Sequence, residues 1–343
     1  MISKMRAEAL EAPDTVARLL AADHDAVQAL ARSLHHTPPQ ALLTVARGSS
    51  DHAAAYMAYL VMARLGRLVT SLPMSLVTLQ PARLRCEGLV SVAFSQSGQS
   101  PDLVAATRYF CAGGARTVAF VNDASSPLAT ASEWVLPLHA GVEASVAATK
   151  SCIAQLVCGA RFVAQWQAEE GDATLRDALA SLPDALHEAT RCDWLAAVPA
   201  LVGVERLYVI SRGTGLAVAQ EAALKFKETC GIQAEAFSGA ELRHGPMALV
   251  DAGYPLLVLA PRGPAQAGLL ALAADMRQRG ARVLLAAPAG TPHAELPLAG
   301  TGHEDLDPIA VVQSFYPMVE ALSRARGLDP DAPPHLAKVT RTN

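Results

Sequence analysis

The chain has 343 residues, 51% of them hydrophobic and 17% charged, with a formal net charge of −4. That composition fills two cores of ordinary domain size, excludes a disordered chain, and lacks the basic footprint of a nucleic-acid binder. No apolar run approaches the roughly 18 residues of a membrane span, and Met1–Arg6 leads to Glu8 and Glu11 rather than to an apolar signal core. The six cysteines form no Cys-x-x-Cys pair and no zinc-finger spacing, so they read as small buried hydrophobes in a reducing cytoplasm, with no metal or cofactor expected.

Residues 1–38 read as an N-terminal helical segment. Val16, Leu19, Leu20 and then Ala26, Leu30 recur at near-helical spacing, and Pro38-Pro39 ends it. Short apolar runs follow at Ala41–Ala46, Leu89–Phe94, Thr117–Val121 and Trp134–Leu138, with helical stretches such as 52–64 and 101–112 between them. Pro137 places the fourth run near an edge. Buried strands alternating with helices predict a parallel sheet covered on both faces. The pattern then returns in Arg206–Ile210, Pro255–Ala260 and Arg282–Ala287, and Ser211-Arg212-Gly213-Thr214-Gly215 echoes Arg47-Gly48-Ser49-Ser50. We read an internal duplication joined through a helical stretch around 172–200. The expected architecture is two tandem three-layer α/β domains at 39–175 and 195–327. A helix near 308–326 closes the second, and a tail follows at 328–343 in which Gly327–Pro334 cannot be helical.

The loop Ser95-Gln96-Ser97-Gly98-Gln99-Ser100 follows a buried strand directly. Ser100 suits an N-cap and Pro101 the first helical position, so the loop ends where free N–H groups and the helix dipole favour an anion. Hydroxyls and a carboxamide add donors, and Gly98 allows close backbone approach. Without a lysine in the loop, a sugar phosphate fits better than a metal-bound triphosphate. Gly48-Ser49-Ser50, Ser125-Ser126 and Ala147-Ala148-Thr149-Lys150 are similar loops that can converge at the carboxyl edge of an open sheet.

Ala219–Glu228 is strongly helical, with Glu221, Lys225 and Glu228 on one face at i, i+4 and i+7. Two readings stay open on these residues alone: a solvated salt-bridge face, or a carboxylate beside a lysine available for proton transfer. Gly239 and Gly245-Pro246 put His244 near a turn, where a histidine is structural or functional alike. Lys338, in an irregular tail, reads by itself as surface charge.

Taken together, Ser95-Gln96-Ser97-Gly98, Val146-Ala147-Ala148-Thr149-Lys150, Ala223-Leu224-Lys225-Phe226-Lys227-Glu228, Glu241-Leu242-Arg243-His244-Gly245-Pro246 and Leu336-Ala337-Lys338 resemble the isomerase half of glucosamine-6-phosphate synthase, in the same order and over roughly residues 40–343. The resemblance implies two sugar isomerase (SIS) domains. It also implies phosphate binding by Ser95, Gln96, Ser97 and Ser100, and sugar contacts at Ser50, the Val146 backbone and Ala337. Glu228 becomes the base that moves a proton between C1 and C2, with Lys225 its neighbour. His244 becomes the ring-opening histidine, contributed across a homodimer, and Lys338 a lysine that forms an imine with the open-chain ketose. Two positions depart from the pattern: Gln99 replaces a usual Glu, and Ala148 a usual Ser. Fewer than 45 residues precede the first sheet and the first cysteine is Cys86, so no glutaminase unit is expected. The strings Ala46–His52 and Ser95–Asp102 resemble stand-alone SIS-type glucosamine-6-phosphate deaminases most, implying conversion of glucosamine 6-phosphate and water to fructose 6-phosphate and ammonia. A fructosamine-6-phosphate deglycase, a plain aldose–ketose phosphosugar isomerase and a non-catalytic sugar-phosphate sensor are the alternatives.

Overall fold

The structure, a computed structural model, describes residues 2–80 and 82–338. Among these described residues, ten strands form two five-stranded sheets, and every strand pair in them is parallel.

The first half runs α1 (Lys4–Ala21), α2 (His24–His36), β1 (Ala41–Val45), α3 (Ser49–Leu65), β2 (Val69–Ser71), α4 (Ser75–Thr78), β3 (Leu89–Ser95), α5 (Pro101–Ala112), β4 (Arg116–Val121), α6 (Pro127–Thr130), β5 (Trp134–Pro137), α7 (Lys150–Glu169) and α8 (Thr174–Leu179). The second runs α9 (Leu182–Arg191), α10 (Val198–Leu201), β6 (Arg206–Ser211), α11 (Gly215–Cys230), β7 (Gln233–Ser238), β8 (Pro255–Leu259), α12 (Gln266–Gln278), β9 (Arg282–Pro288), β10 (Leu296–Leu298) and α13 (Asp307–Ala325). Strand order is β2-β1-β3-β4-β5 in one sheet and β10-β9-β8-β6-β7 in the other. Read from its other edge, the second is 7-6-8-9-10, the same winding as the first. The duplication expected mainly from the order of elements is therefore a duplication of topology.

Contacts divide the chain into two compact units that do not follow simple chain order. Among the described residues, one comprises 14–143, 150–180 and Ala337–Lys338; the other comprises 2–13, 144–149 and 181–336. In the first, Leu43, Val45, Ala93, Leu103, Phe110 and Val121 join one sheet face to α5. Phe120 stacks edge-to-face on Phe94 (4.7 Å) and on Phe162 of α7 (5.9 Å), which covers the other face. In the second, Tyr208, Ile210, Leu256 and Val258 pack with Leu269, Leu272 and Met276 of α12, and Phe226 of α11 meets Phe315 of α13 at 5.2 Å.

The predicted central strands all appear, within a residue or two of their expected ends. Three strands had no apolar run to announce them: β2, β7 and β10. Each is the edge of its sheet, and β7 has a single buried residue, Ala234. The N-terminal segment is two helices, parted at Asp23 with φ 54°, while Pro13 is accommodated inside α1. No helix among the described residues is long and apolar enough to cross a membrane.

All six cysteines are free thiols; Cys86, Cys152, Cys158 and Cys230 are buried as expected, but Cys111 is exposed on α5. Burial pushes the Cys158 thiol up to about 12 and the Cys230 thiol up to about 11, so both stay protonated and unreactive near neutrality. A maleimide added to the folded protein is expected to label Cys111 first and to reach Cys158 and Cys230 only in denaturant. Peptide mass spectrometry over a labelling time course checks the order.

Candidate functional site

Where strand order reverses between β1 and β3, the chain leaves the two adjacent strands to opposite sides and opens a crevice at their carboxyl ends. Two helices begin there: α3 at Ser49 and α5 at Pro101. Gly48, with φ 56°, turns the chain from β1 into α3. Arg47 donates from Nε and Nη2 to one oxygen of buried Asp102 in the first turn of α5, both at 3.1 Å, which ties the two helix starts together. Ser50 Oγ accepts from Gln155 Nε2 of α7 at 2.9 Å. Asp51, in the same turn, has its carboxyl raised by burial.

The Ser95–Ser100 loop sits at this crevice. Ser95 is buried, and its Oγ accepts from the Gly98 amide at 2.9 Å, bracing the loop from beneath. Ser97 Oγ accepts from the Gln99 amide at 3.3 Å. Gln96, Ser97 and Ser100 are half-buried, and Gln99 is exposed. Gly98 adopts φ +65°, and a Cβ there would lie 2.1 Å from Ser126 Oγ of the loop after β4. That contact, with the Leu128 amide donating to the Gly98 carbonyl at 3.2 Å, explains why glycine is needed. The Ser125-Ser126 loop thus supports the cradle. A 660 Å³ groove beside it is lined by Gln96, Asn122, His139 and Glu143, among others.

At the equivalent position of the second sheet, between β6 and β8, side chains bond to the surrounding scaffold. Ser211 Oγ donates to the Leu259 carbonyl at 2.9 Å, and a Cβ at Gly215 would lie 2.3 Å from the same oxygen. Arg262, in the loop after β8, grips Asp307 through two 2.7 Å bonds, and this hydrogen-bonded carboxylate raises the guanidinium further.

The acid–base helix is α11. Its polar face is buried rather than solvated: Glu221 and Lys225 are 1% and 0% exposed. Tyr316 Oη of α13 donates to Glu221 at 2.9 Å. The Lys225 ammonium lies 3.2 Å from Glu221 and donates to Glu228 at 2.6 Å. Glu228 ends this chain, with its side chain 21% exposed. Its carboxylate is thus held by a buried cation yet open to a ligand. His244 is exposed at the end of a 3₁₀ turn, Glu241–His244, and lines a 380 Å³ cavity of the same unit with Arg212, Arg243 and Leu269.

Two loop segments were flagged in sequence without a scaffold. The Val146 amide donates to the Asp331 carbonyl at 3.1 Å, and Asp331 also accepts from the Lys4 and Met5 amides at 2.9 and 2.8 Å, capping α1. Glu8 accepts from the Ala144 and Ser145 amides and the Ser145 hydroxyl. In the other unit Lys338 Nζ donates to Glu143 at 2.8 Å, beyond exposed Ala337. Glu143 and Asp331 were invisible in sequence because they cap helices from many residues away, which no spacing rule detects. Among the described residues no cluster of three or more His, Cys, Asp or Glu is placed to hold a metal.

Residues 38–164 and 200–294 match the SIS domain. The chain belongs to the SIS domain family. It is homologous to the isomerase domain of glutamine–fructose-6-phosphate aminotransferase: the Aeropyrum pernix protein is 37% identical over 265 residues, 73% of this chain and 43% of that one. The chain spans about half the length of the curated relatives it matches. A crystal structure from Silicibacter pomeroyi DSS-3, proposed to be a phosphosugar isomerase, superposes with TM-score 0.90 and 43% identity, covering 96% of this chain and 100% of that one. The C-terminal domain of the Francisella tularensis glucosamine-fructose-6-phosphate aminotransferase shares the fold, with TM-score 0.85 and 22% identity over 97% and 99% of the two chains. Both SIS matches fall on the two sheets, and the first includes the Ser95–Ser100 loop.

Gly98→Ala is expected to move the cradle off Ser126 at a cost of about 1–3 kcal/mol from the positive φ alone. With fructose 6-phosphate as the calorimetric probe of the loop's expected phosphate role, affinity should weaken strongly while circular dichroism stays native. Unchanged affinity would remove the loop from the site.

Proposed function

We propose that this SIS-domain chain is a phosphosugar isomerase acting on an amino sugar, converting glucosamine 6-phosphate and water to fructose 6-phosphate and ammonia. The observation that carries the reading is the Glu228 carboxylate, partly exposed and hydrogen-bonded to a fully buried lysine. The cradle supports a phosphate through neutral donors at a helix start. Glu228 then takes the proton from C2 of the open-chain aldose and returns it to C1, turning the C2 amine into a ketimine. Water adds to that carbon and ammonia leaves. His244 assists ring opening for the partner's sugar in a homodimer, and Lys338 exchanges with the ketimine as an imine of its own. Nitrogen chemistry is favoured because the curated relatives that the chain matches are aminotransferases.

The groove beside Gln96 favours one second reading, a deglycase whose leaving amine bears a substituent that lies there. Incubation with glucosamine 6-phosphate, fructosamine 6-phosphates and glucose 6-phosphate separates the cases by product. Ammonia with fructose 6-phosphate supports the deaminase, a released amino acid the deglycase, and interconversion without nitrogen release a plain isomerase. Glu228→Gln is expected to lower turnover by about 10²–10⁴-fold with the Michaelis constant little changed. Mixing it with His244→Ala should restore part of the activity in heterodimers. Binding of every sugar phosphate without turnover would leave only a sensor.

A further inference from the structure

The buried carboxylate of Glu143 has no part in the reading so far. It lies in the loop between β5 and α7, with its side chain 0% exposed. It accepts from the Ser151 amide at 3.1 Å and the Ser151 hydroxyl at 2.6 Å, in the first turn of α7. Its second oxygen also takes the Lys338 ammonium at 2.8 Å. A carboxylate withdrawn from water needs such neutralisation, and a helix start plus an ammonium supply it. Lys338, 25% exposed, is on an otherwise irregular tail, where a free lysine would sample many rotamers. Glu143 also lines the groove that reaches Gln96 of the cradle.

We propose that Glu143 is the positioning residue for Lys338: it seats the tail ammonium beside the sugar site and relays its proton during imine formation. This rests on the reading of Lys338 as an imine-forming lysine. The ammonium passes one proton to Glu143, and the freed nitrogen lone pair forms a bond to C2 of the open-chain ketose. A second nitrogen proton moves to the former carbonyl oxygen. Glu143 returns its proton to that hydroxyl, the C–O bond breaks, and water leaves. The iminium keeps the third proton and the positive charge, and Glu143 ends as the carboxylate facing it. No oxidant or reductant is consumed.

The test is borohydride trapping with fructose 6-phosphate on the full-length protein, reading the mass of the Lys338 peptide over time and fructose 6-phosphate binding by calorimetry. Wild type is expected to gain the reduced sugar on Lys338. Glu143→Gln should slow trapping by roughly tenfold to a hundredfold while the cradle still binds the sugar. Glu143→Asp, which keeps the charge, should recover part of the rate. Ser151→Ala, which removes only the hydroxyl bond to Glu143, should trap near the wild-type rate; a purely structural Glu143 would make it fail like Glu143→Gln. Folded Glu143→Gln trapping as fast as wild type overturns the proposal alone. If Glu143→Gln does not fold, equal loss in Glu143→Asp and Ser151→Ala overturns it. Wild type that binds the sugar but never traps on Lys338 overturns the imine reading itself, and this proposal with it.

Discussion

Parallel pairing obliges every strand of a sheet to end at the same edge, and each following helix then starts there. That constraint gathers free amide groups and helix dipoles on one side of each sheet before any side chain is chosen. In the β1/β3 crevice, two helix starts and the Ser95–Ser100 loop meet under the Arg47–Asp102 clamp. In the duplicated β6/β8 crevice, the same geometry is spent on structure, with Ser211 turned inward and Arg262 locked on Asp307.

A second constraint is the Lys225 ammonium, which has no access to water. Glu221 and Glu228, which flank it, offset the cost of desolvating it. The arrangement is directional: Tyr316 and Glu221 are enclosed, while Glu228 is partly open. Removing one partner of such a group typically costs about 3–5 kcal/mol, so the helix face that could host proton transfer is also a stability element of its unit.

Loop residues are organised by carboxylates distant in sequence. Glu8 holds Ala144 and Ser145, Asp331 holds the start of α1 and receives the Val146 amide through its carbonyl, and Glu143 holds the start of α7 and Lys338. Each is a cap or a turn contact made by a residue outside the segment it stabilises. Sequence patterns register a cap only when the capping residue immediately precedes its helix, and Ser100, in that position before Pro101, makes no side-chain cap bond. Central strands were legible because burial on both faces demands a continuous apolar run. Edge strands β2, β7 and β10 were not, since one side of each is free of that demand.

The sequence by itself determined the α/β class, the repeated winding, the position of the phosphate-type loop and the motif set that marks a SIS-domain chain. These follow from local rules: period, capping, glycine at a positive φ, and short ordered motifs. Only the tertiary structure decided that Glu221 and Lys225 are buried rather than solvated. It alone showed that Ser211 and Arg262 are bonded to their own scaffold, that Ser95 braces its loop from beneath, and that Lys338 rests on Glu143. The physical reason is the same in each case. Burial and the partner of a charge depend on what another element brings within about 3 Å, and a helix face of Glu, Lys and Glu reads identically whether water or Tyr316 lies opposite it.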